Sequence, residues 1–264
     1  MAVGETRGII LFTKDFKEKD KLVKIFTESS GKLMFFIKGA HRKNNPISSS
    51  ILPFTEAIYI GDFREEGLSF LNGSKDVKPF RLIQQDIFIN AYATYILNLV
   101  DAAIEDRVYD PHLFKFVQQA LMLMDEGKDP EIITNIFEVQ LLSRFGIVID
   151  WKKCAACGET HGKFDYSSKY SGILCEKHWS LDERRYNWNP IAIHFVRLFA
   201  TVSYDKVQEI KMKQETKDEI RKIIDELYDE YVGIHLKSKK FIDEMKSWEA
   251  TMKIPKRSER KEDE

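Results

Sequence analysis

The alternation of apolar and polar positions changes period once along this chain. Up to about residue 80 it runs in short stretches of period two. Residues 8–13, 22–27, 32–38, 54–60 and 68–71 are rich in β-branched and aromatic side chains, which predicts five strands. Ser29-Ser30-Gly31 and Gly39 punctuate them, and Asn72-Gly73 reads as a turn after the last. Five short strands suit a small closed barrel better than an open sheet, whose edges would stay unpaired. The stretch 41–50, His-Arg-Lys-Asn-Asn-Pro-Ile-Ser-Ser-Ser, reads as a mobile loop carrying positive charge.

From about Gln84 the period becomes 3.6. Phe88, Ala91, Tyr92, Tyr95, Ile96, Leu99 and Ala103 fall on one helical face. Asp110-Pro111, Asp129-Pro130 and Asn189-Pro190 each set a capping side chain before a proline at the first helical position. These pairs predict helices over 111–126, 130–145 and 190–203, with Gly146 as a C-terminal cap of the second. Ile220, Ile223, Ile224, Leu227, Tyr228, Tyr231 and His235 draw a long amphipathic helix, which Phe241, Met245 and Trp248 continue. The tail after Ile254 is charged and expected to fray. The expected architecture is α+β and multidomain: a β-barrel over 1–80, then a mostly α-helical domain in two parts, 81–150 and 186–254. A small module over 151–185 is inserted between those parts, and a charged tail over 255–264 follows.

A composition of 43% hydrophobic and 31% charged residues fits a soluble globular protein. The longest apolar helical stretch, near 92–104, is interrupted by Asn98 and Asp101, so no membrane span is expected. No signal peptide is expected either, which places the protein in the cytoplasm. The formal net charge of −1 conceals a basic start: residues 1–50 hold ten Lys or Arg against five acids. A polyanion bound at one face would explain that excess, and a solvated lysine-rich surface would do so equally well.

All three cysteines lie within one short interval, an arrangement that favours metal over disulfides. Cys154-Ala-Ala-Cys157 is a C-x2-C knuckle, and Cys175-Glu-Lys-His178 repeats the geometry as C-x2-H. Four soft or borderline donors in two paired turns meet the tetrahedral demand of one Zn2+ ion. His161 competes as the fourth ligand, and His178 is preferred because its spacing mirrors the first knuckle. A site closed by four protein ligands leaves no position for water or substrate, so its role is structural. Trp151, Phe164, Tyr166, Tyr170 and Trp179 are available to cover it. No phosphate-binding loop, dinucleotide fingerprint, H-E-x-x-H or G-x-S-x-G occurs, and an enzyme is not expected. His112, His194 and His235 fall on expected helices, where packing or solvation explains them.

Several segments together resemble the RecO family of bacterial DNA repair and recombination mediators. They are Gly8-Ile-Ile-Leu-Phe-Thr13, Glu18-Lys-Asp-Lys-Leu-Val-Lys-Ile-Phe-Thr27, Gly31-Lys32, Lys38-Gly39-Ala40-His41-Arg42 and Leu52-Pro53-Phe54-Thr55. The most specific is Leu141-Leu-Ser-Arg-Phe-Gly-Ile-Val-Ile-Asp150, which leads directly into the Cys154 and Cys157 knuckle. The resemblance implies an N-terminal OB-fold, a helical domain and a zinc module set into it. It also implies binding of single- and double-stranded DNA and annealing of complementary strands. Implied partners are RecR, the acidic C-terminal tail of single-stranded-DNA-binding protein (SSB), RecF and RecA, with a free protein that is monomeric and nucleoid-associated. One departure is His178, where many relatives carry cysteine and some have lost the metal.

An OB barrel binds single strands through a basic groove and aromatic platforms. The candidate phosphate contacts are Lys21, Lys24, Lys32, Lys38, His41, Arg42 and Lys43. Phe35 and Phe36 straddle one strand, so at most one of them faces a groove. Lys115, Arg144, Arg197 and Lys206 are candidate rims for an acidic, apolar-ended tail, with no ground to choose among them. The alternative functions are a zinc-containing nucleic-acid-binding regulator and a protein-interaction scaffold.

Overall fold

A computed structural model describes residues 4–42, 45–207 and 210–252. Five strands close into a barrel in the order β1-β2-β3-β5-β4. They are β1 (Gly4–Phe16), β2 (Asp20–Thr27), β3 (Gly31–Ile37), β4 (Thr55–Asp62) and β5 (Ser69–Pro79). Neighbours run antiparallel except β3 and β5, which pair in parallel through Phe35 and Phe36. This is the OB arrangement, and the barrel with its following helices is the fold class expected from the sequence.

Period-two alternation sends Ile10, Val23, Ile25, Leu33, Phe35, Ala57 and Tyr59 inward. Within the 41–50 stretch, expected as a mobile loop, residues 46–50 form turns packed on the barrel. Ile47 and Ile51 are buried in the barrel core, and the Tyr59 hydroxyl donates to the Ser50 carbonyl at 2.6 Å. A chain of turns therefore closes one end of the barrel; Lys43 lies outside the described residues. Asn72-Gly73 is not a turn either. Gly73 pairs with Ile60 and Leu71 with Gly61, so Asn72 is an extra residue in a continuous β5.

The helices are α1 (Arg81–Gln85), α2 (Ile87–Ala103), α3 (Pro111–Asp125), α4 (Pro130–Leu141), α5 (Pro190–Phe199), α6 (Gln214–Leu227) and α7 (Lys237–Met252). The three expected caps form: Asp110, Asp129 and Asn189 accept from Leu113 N, Glu131 N and Ile191 N at 2.8, 3.0 and 2.9 Å. The single long helix expected over 220–248 is broken. Gly233, at φ 68°, ends a π-turn over Tyr228–Val232, and the chain reverses into α7. Lys239 of α7 then meets Asp225 of α6, while Lys246 reaches Glu131 at the start of α4. The α7 helix thus packs along α2, where the Ser238 hydroxyl donates to Asn98 Oδ1 at 2.9 Å.

Between these helices lies a buried ion pair. The Glu138 carboxylate, 0% exposed, accepts from Arg221 and from the Tyr95 hydroxyl at 2.6 Å. Asn135 and Asp225 accept further Arg221 donors, so α2, α4 and α6 share one polar centre.

The barrel is fixed to the helical domain along one wall. Ile9, Leu11 and Phe26 leave the barrel interior and join the helical core, where Phe26 meets Phe114 edge to face at 5.5 Å. Beside them, Lys32 and Lys24 point outward into Asp101 and Asp106. Lys32 is only 2% exposed, and its Nζ donates to Asp101 O at 2.5 Å and Asp101 Oδ1 at 2.9 Å. Lys24 Nζ lies 2.6 Å from Asp101 and 3.0 Å from Asp106. Gly31, at φ 66°, abuts the Val108 backbone so closely that a Cβ would lie 2.2 Å from Val108 O.

Burial works against ionisation of Asp101, but bonds from Lys24 and Lys32 outweigh it and hold its carboxyl below the usual range. The same contacts raise Lys24 against its own burial. A lowered carboxyl stabilises the fold fully above its unfolded pKa of about 3.9 and loses that contribution as pH falls through the lower folded value. Asp101→Asn should therefore lower unfolding free energy by about 2 kcal/mol at neutral pH, because it leaves a buried ammonium underpaired. Denaturant titration should show the difference from wild type shrinking below about pH 4.

Candidate metal centre and nucleic-acid interface

The module between α4 and α5 is built on a hairpin of β6 (Phe164–Ser167) and β7 (Gly172–Cys175). Aromatic packing fastens it to the helical core: Tyr166 lies between Trp151 and Trp188 at centroid distances of 6.1 and 5.2 Å. Cys175 is the last residue of β7, and a short 3-10 turn over Glu176–Leu181 carries His178. The Cys154 knuckle docks on the same hairpin through Ala155 N to Ile173 O at 2.8 Å. Gly158, at φ 77°, lets the chain turn out of the knuckle.

Four donor atoms converge here. The Sγ atoms of Cys154, Cys157 and Cys175 and a ring nitrogen of His178 all lie within 4.8 Å of one another. The edges are 3.8 Å for Cys157–Cys175, 3.8 Å for Cys154–His178 Nδ1 and 3.3 Å for Cys175–His178 Nδ1. A tetrahedral zinc with Zn–S of about 2.3 Å and Zn–N of about 2.0 Å demands S–S edges of about 3.8 Å and S–N edges of about 3.5 Å. The residues present fit that ion. His161 does not join them; its side chain is 92% exposed beside Glu159.

Burial opposes ionisation of Cys154, but N–H donors from Cys175, Ala156 and Cys157 bring it down to about 6. Burial and the neighbouring thiols push Cys175 up to about 11. A bound Zn2+ would let every sulfur ionise, crosslinking hairpin and knuckle in a module too small for a core of its own. With all four positions filled by protein, such an ion has no place for substrate.

The seven residues expected to contact phosphate do not form one groove. Lys24 and Lys32 are spent on Asp101 and Asp106, and Lys32 has almost no surface left for a strand. Their assignment as phosphate contacts is corrected: the helical domain covers that part of the β2–β3 face. Lys21 and His41 both bind Asp15, at 2.6 and 3.0 Å. The Lys21 contact lowers the Asp15 carboxyl, with burial opposing and His41 helping. Lys38 and Arg42 are exposed and form no ion pair among the described residues.

The uncovered end of the same face carries aromatic rings. Phe35 is in the barrel core, whereas Phe36 points outward, edge-on to Phe16 at 6.0 Å and to Phe70 at 6.2 Å. Phe16 is 39% exposed, Lys17 lies over its ring, and the Arg64 guanidinium lies 4.5 Å from the Phe70 centroid. The turns on either side touch, His41 N donating to Lys19 O. Sequence reading missed Phe16, Arg64 and Phe70. Strand parity separates Phe35 from Phe36, but only barrel closure brings β5 beside β3.

Among the four candidate rim cations, Lys115 and Arg144 line one cleft of about 340 Å3 with His112, Phe116 and Leu141. Arg197 is elsewhere, against the metal module. No helix of the described residues is long and apolar enough to cross a membrane.

Comparison with known proteins agrees with this architecture. The family model described as Recombination protein O N terminal matches residues 1–80, and that described as Recombination protein O C terminal matches residues 84–240. DNA repair protein RecO of Enterococcus faecalis is 76% identical over 257 residues, 97% of this chain and 98% of that protein. DNA repair protein RecO of Streptococcus suis is 50% identical over 249 residues, covering 94% and 95% of the two chains. The Lactococcus lactis protein of the same name is 48% identical over 253 residues, covering 96% of this chain and all of that one.

The geometry of the four donors leads to a stoichiometric expectation. Elemental analysis of purified protein should find about one zinc per chain. Stripping the metal with a chelator should lower the melting temperature of the 151–185 region, and Cys175→Ser should do the same. Metal-free protein with unchanged melting would refute the site.

Proposed function

Because the chain belongs to the RecO family of DNA repair proteins, we propose that it is a recombination mediator with no catalysis of its own. In this reading it binds single- and double-stranded DNA, anneals complementary strands and helps RecA replace SSB, together with RecR and RecF. It works as a monomer when free, in the cytoplasm at the nucleoid. Zinc on Cys154, Cys157, Cys175 and His178 braces the fold and takes no part in the reaction.

The observation that carries the reading is the open end of the β2–β3 face. Phe16, Phe36 and Phe70 offer ring surface on which bases stack, a sequence-tolerant contact worth ~1–3 kcal/mol per base. Lys38 and Arg42 border it as exposed cations for phosphates. Lys21 and His41 join them when phosphate displaces Asp15. Neutralising two strands lowers their mutual repulsion, so pairing proceeds without nucleotide hydrolysis.

The cleft between α3 and α4 suits the other expected partner. Lys115 supplies charge for the acidic SSB tail, joined by Arg144 when the tail displaces Asp110, and Phe116 supplies apolar surface for its end.

Three measurements test the proposal. Complementary strands pre-coated with SSB should anneal on addition of the zinc-loaded protein without ATP; failure overturns the mediator assignment. Replacing Lys38, Arg42 and Lys43 together should reduce the salt slope of single-strand binding by about 2, at roughly 0.7 per phosphate contact. Phe16→Ala should weaken single-strand binding by about 1 kcal/mol with little effect on folding. Wild-type affinity and slope in both variants would place the groove elsewhere.

A further inference from the structure

Arg197 stands on α5, in the helical domain, yet its guanidinium is committed to the metal module. Its Nε donates to Trp151 O at 2.8 Å, and one terminal nitrogen donates to Lys152 O and Thr160 O, both at 3.0 Å. Trp151 and Lys152 lead the chain into Cys154, and Thr160 follows Cys157. One side chain thus ties the incoming and outgoing limbs of the knuckle together. Its Cζ also lies 3.9 Å from the ring centroid of Phe164, the first residue of the hairpin whose second strand ends at Cys175.

Among the described residues no carboxylate pairs with this guanidinium. The guanidinium is half-buried against the module, and partial desolvation pulls the Arg197 pKa below the usual value. The limbs it grips carry the Cys154 and Cys157 sulfurs, and a metal-loaded cluster there would supply opposite charge. Three thiolates, one neutral imidazole and a divalent ion sum to a net negative charge. A planar fork of fixed donors is also better suited than an ammonium to gripping carbonyls on two limbs at once.

We propose that Arg197 is a positioning residue for the metal, holding both limbs of the Cys154–Cys157 knuckle at ligand spacing and countering the charge of the thiolate cluster. It touches none of the four donor atoms and acts through the backbone of 151–160. The inference rests on the zinc reading of those donors and adds a determinant of affinity that lies outside the module.

The test uses full-length wild type, R197K and R197M loaded with zinc, and follows transfer of the ion to a chromophoric chelator. R197M should release zinc about tenfold faster or more, in the range of lost outer-shell contacts to a metal site. R197K should fall between, because it keeps the charge but cannot span both limbs. In cobalt-substituted protein the thiolate-to-metal absorption band should shift in R197M and return toward wild type in R197K, which loosened packing alone would not produce. R81M, at the exposed start of α1, should match wild type. Wild-type release rates in zinc-loaded R197M and R197K overturn the proposal; if R197M does not fold, a wild-type rate in R197K does so alone. Wild-type protein without zinc overturns the metal reading and this inference with it, a result distinct from zinc-loaded protein indifferent to Arg197.

Discussion

The arrangement of this molecule depends on two lysines of the barrel being satisfied by two aspartates of the helical domain. Lys32 is almost fully buried, and an ammonium in that position is tolerable only because Asp101 supplies both a carboxylate and a carbonyl. Lys24 shares the same acids. Breaking the contact would strand a charge, so the barrel is held in one orientation on the helices. Arg107 extends the junction by donating to the Gly67 carbonyl at 2.5 Å, in the loop before β5. The same junction hides one end of the β2–β3 face and leaves the Phe16, Phe36 and Phe70 end open. Domain docking and the choice of binding surface are one structural decision.

The helical domain is organised by a second buried charge pair, Glu138 with Arg221. Burial disfavours the charged guanidinium, but the facing Glu138 and Asp225 more than restore it, and its pKa stands well above the ordinary value. Such a pair adds little net stability relative to apolar packing, but it tolerates few alternative arrangements of α2, α4 and α6. The α5 helix bridges this domain to the metal module: its inner face packs in the helical core through Ala192, Ile193, Val196 and Phe199, while Arg197 reaches the knuckle. At the same end of α5, Gln140 of α4 donates to the Phe199 and Val202 carbonyls at 2.7 and 2.8 Å, beside the Lys115 and Arg144 cleft. Metal module and cleft are therefore both joined to the last turn of one short helix, through Arg197 and Phe199.

Local features were legible in the chain because their physics is local. Asp-Pro and Asn-Pro pairs cap helices through bonds spanning two or three residues, and C-x2-C with C-x2-H brings donors together by turn geometry. Strand positions followed from alternation for the same reason. The errors share a cause as well. Asn72-Gly73 reads as a turn from its dipeptide, but β4 pairs with both flanks and turns it into a bulge. The 41–50 stretch reads as mobile from its polarity, but Ile47 and Ile51 find the open end of the barrel. A helical period running past Gly233 does not reveal the reversal that lets α7 lie along α2.

Charge was the least legible property. The sequence by itself determined a barrel, a capped helical domain, four converging metal donors and a basic N-terminal segment. It could not say which lysines are free, because a lysine's partner is chosen by residues far away in the chain: Asp101 for Lys32, 69 positions on. Nor could it place Arg197, whose acceptors are backbone carbonyls with no signature in side-chain type. Only the tertiary structure decided these, since ion pairing and desolvation depend on three-dimensional proximity and burial.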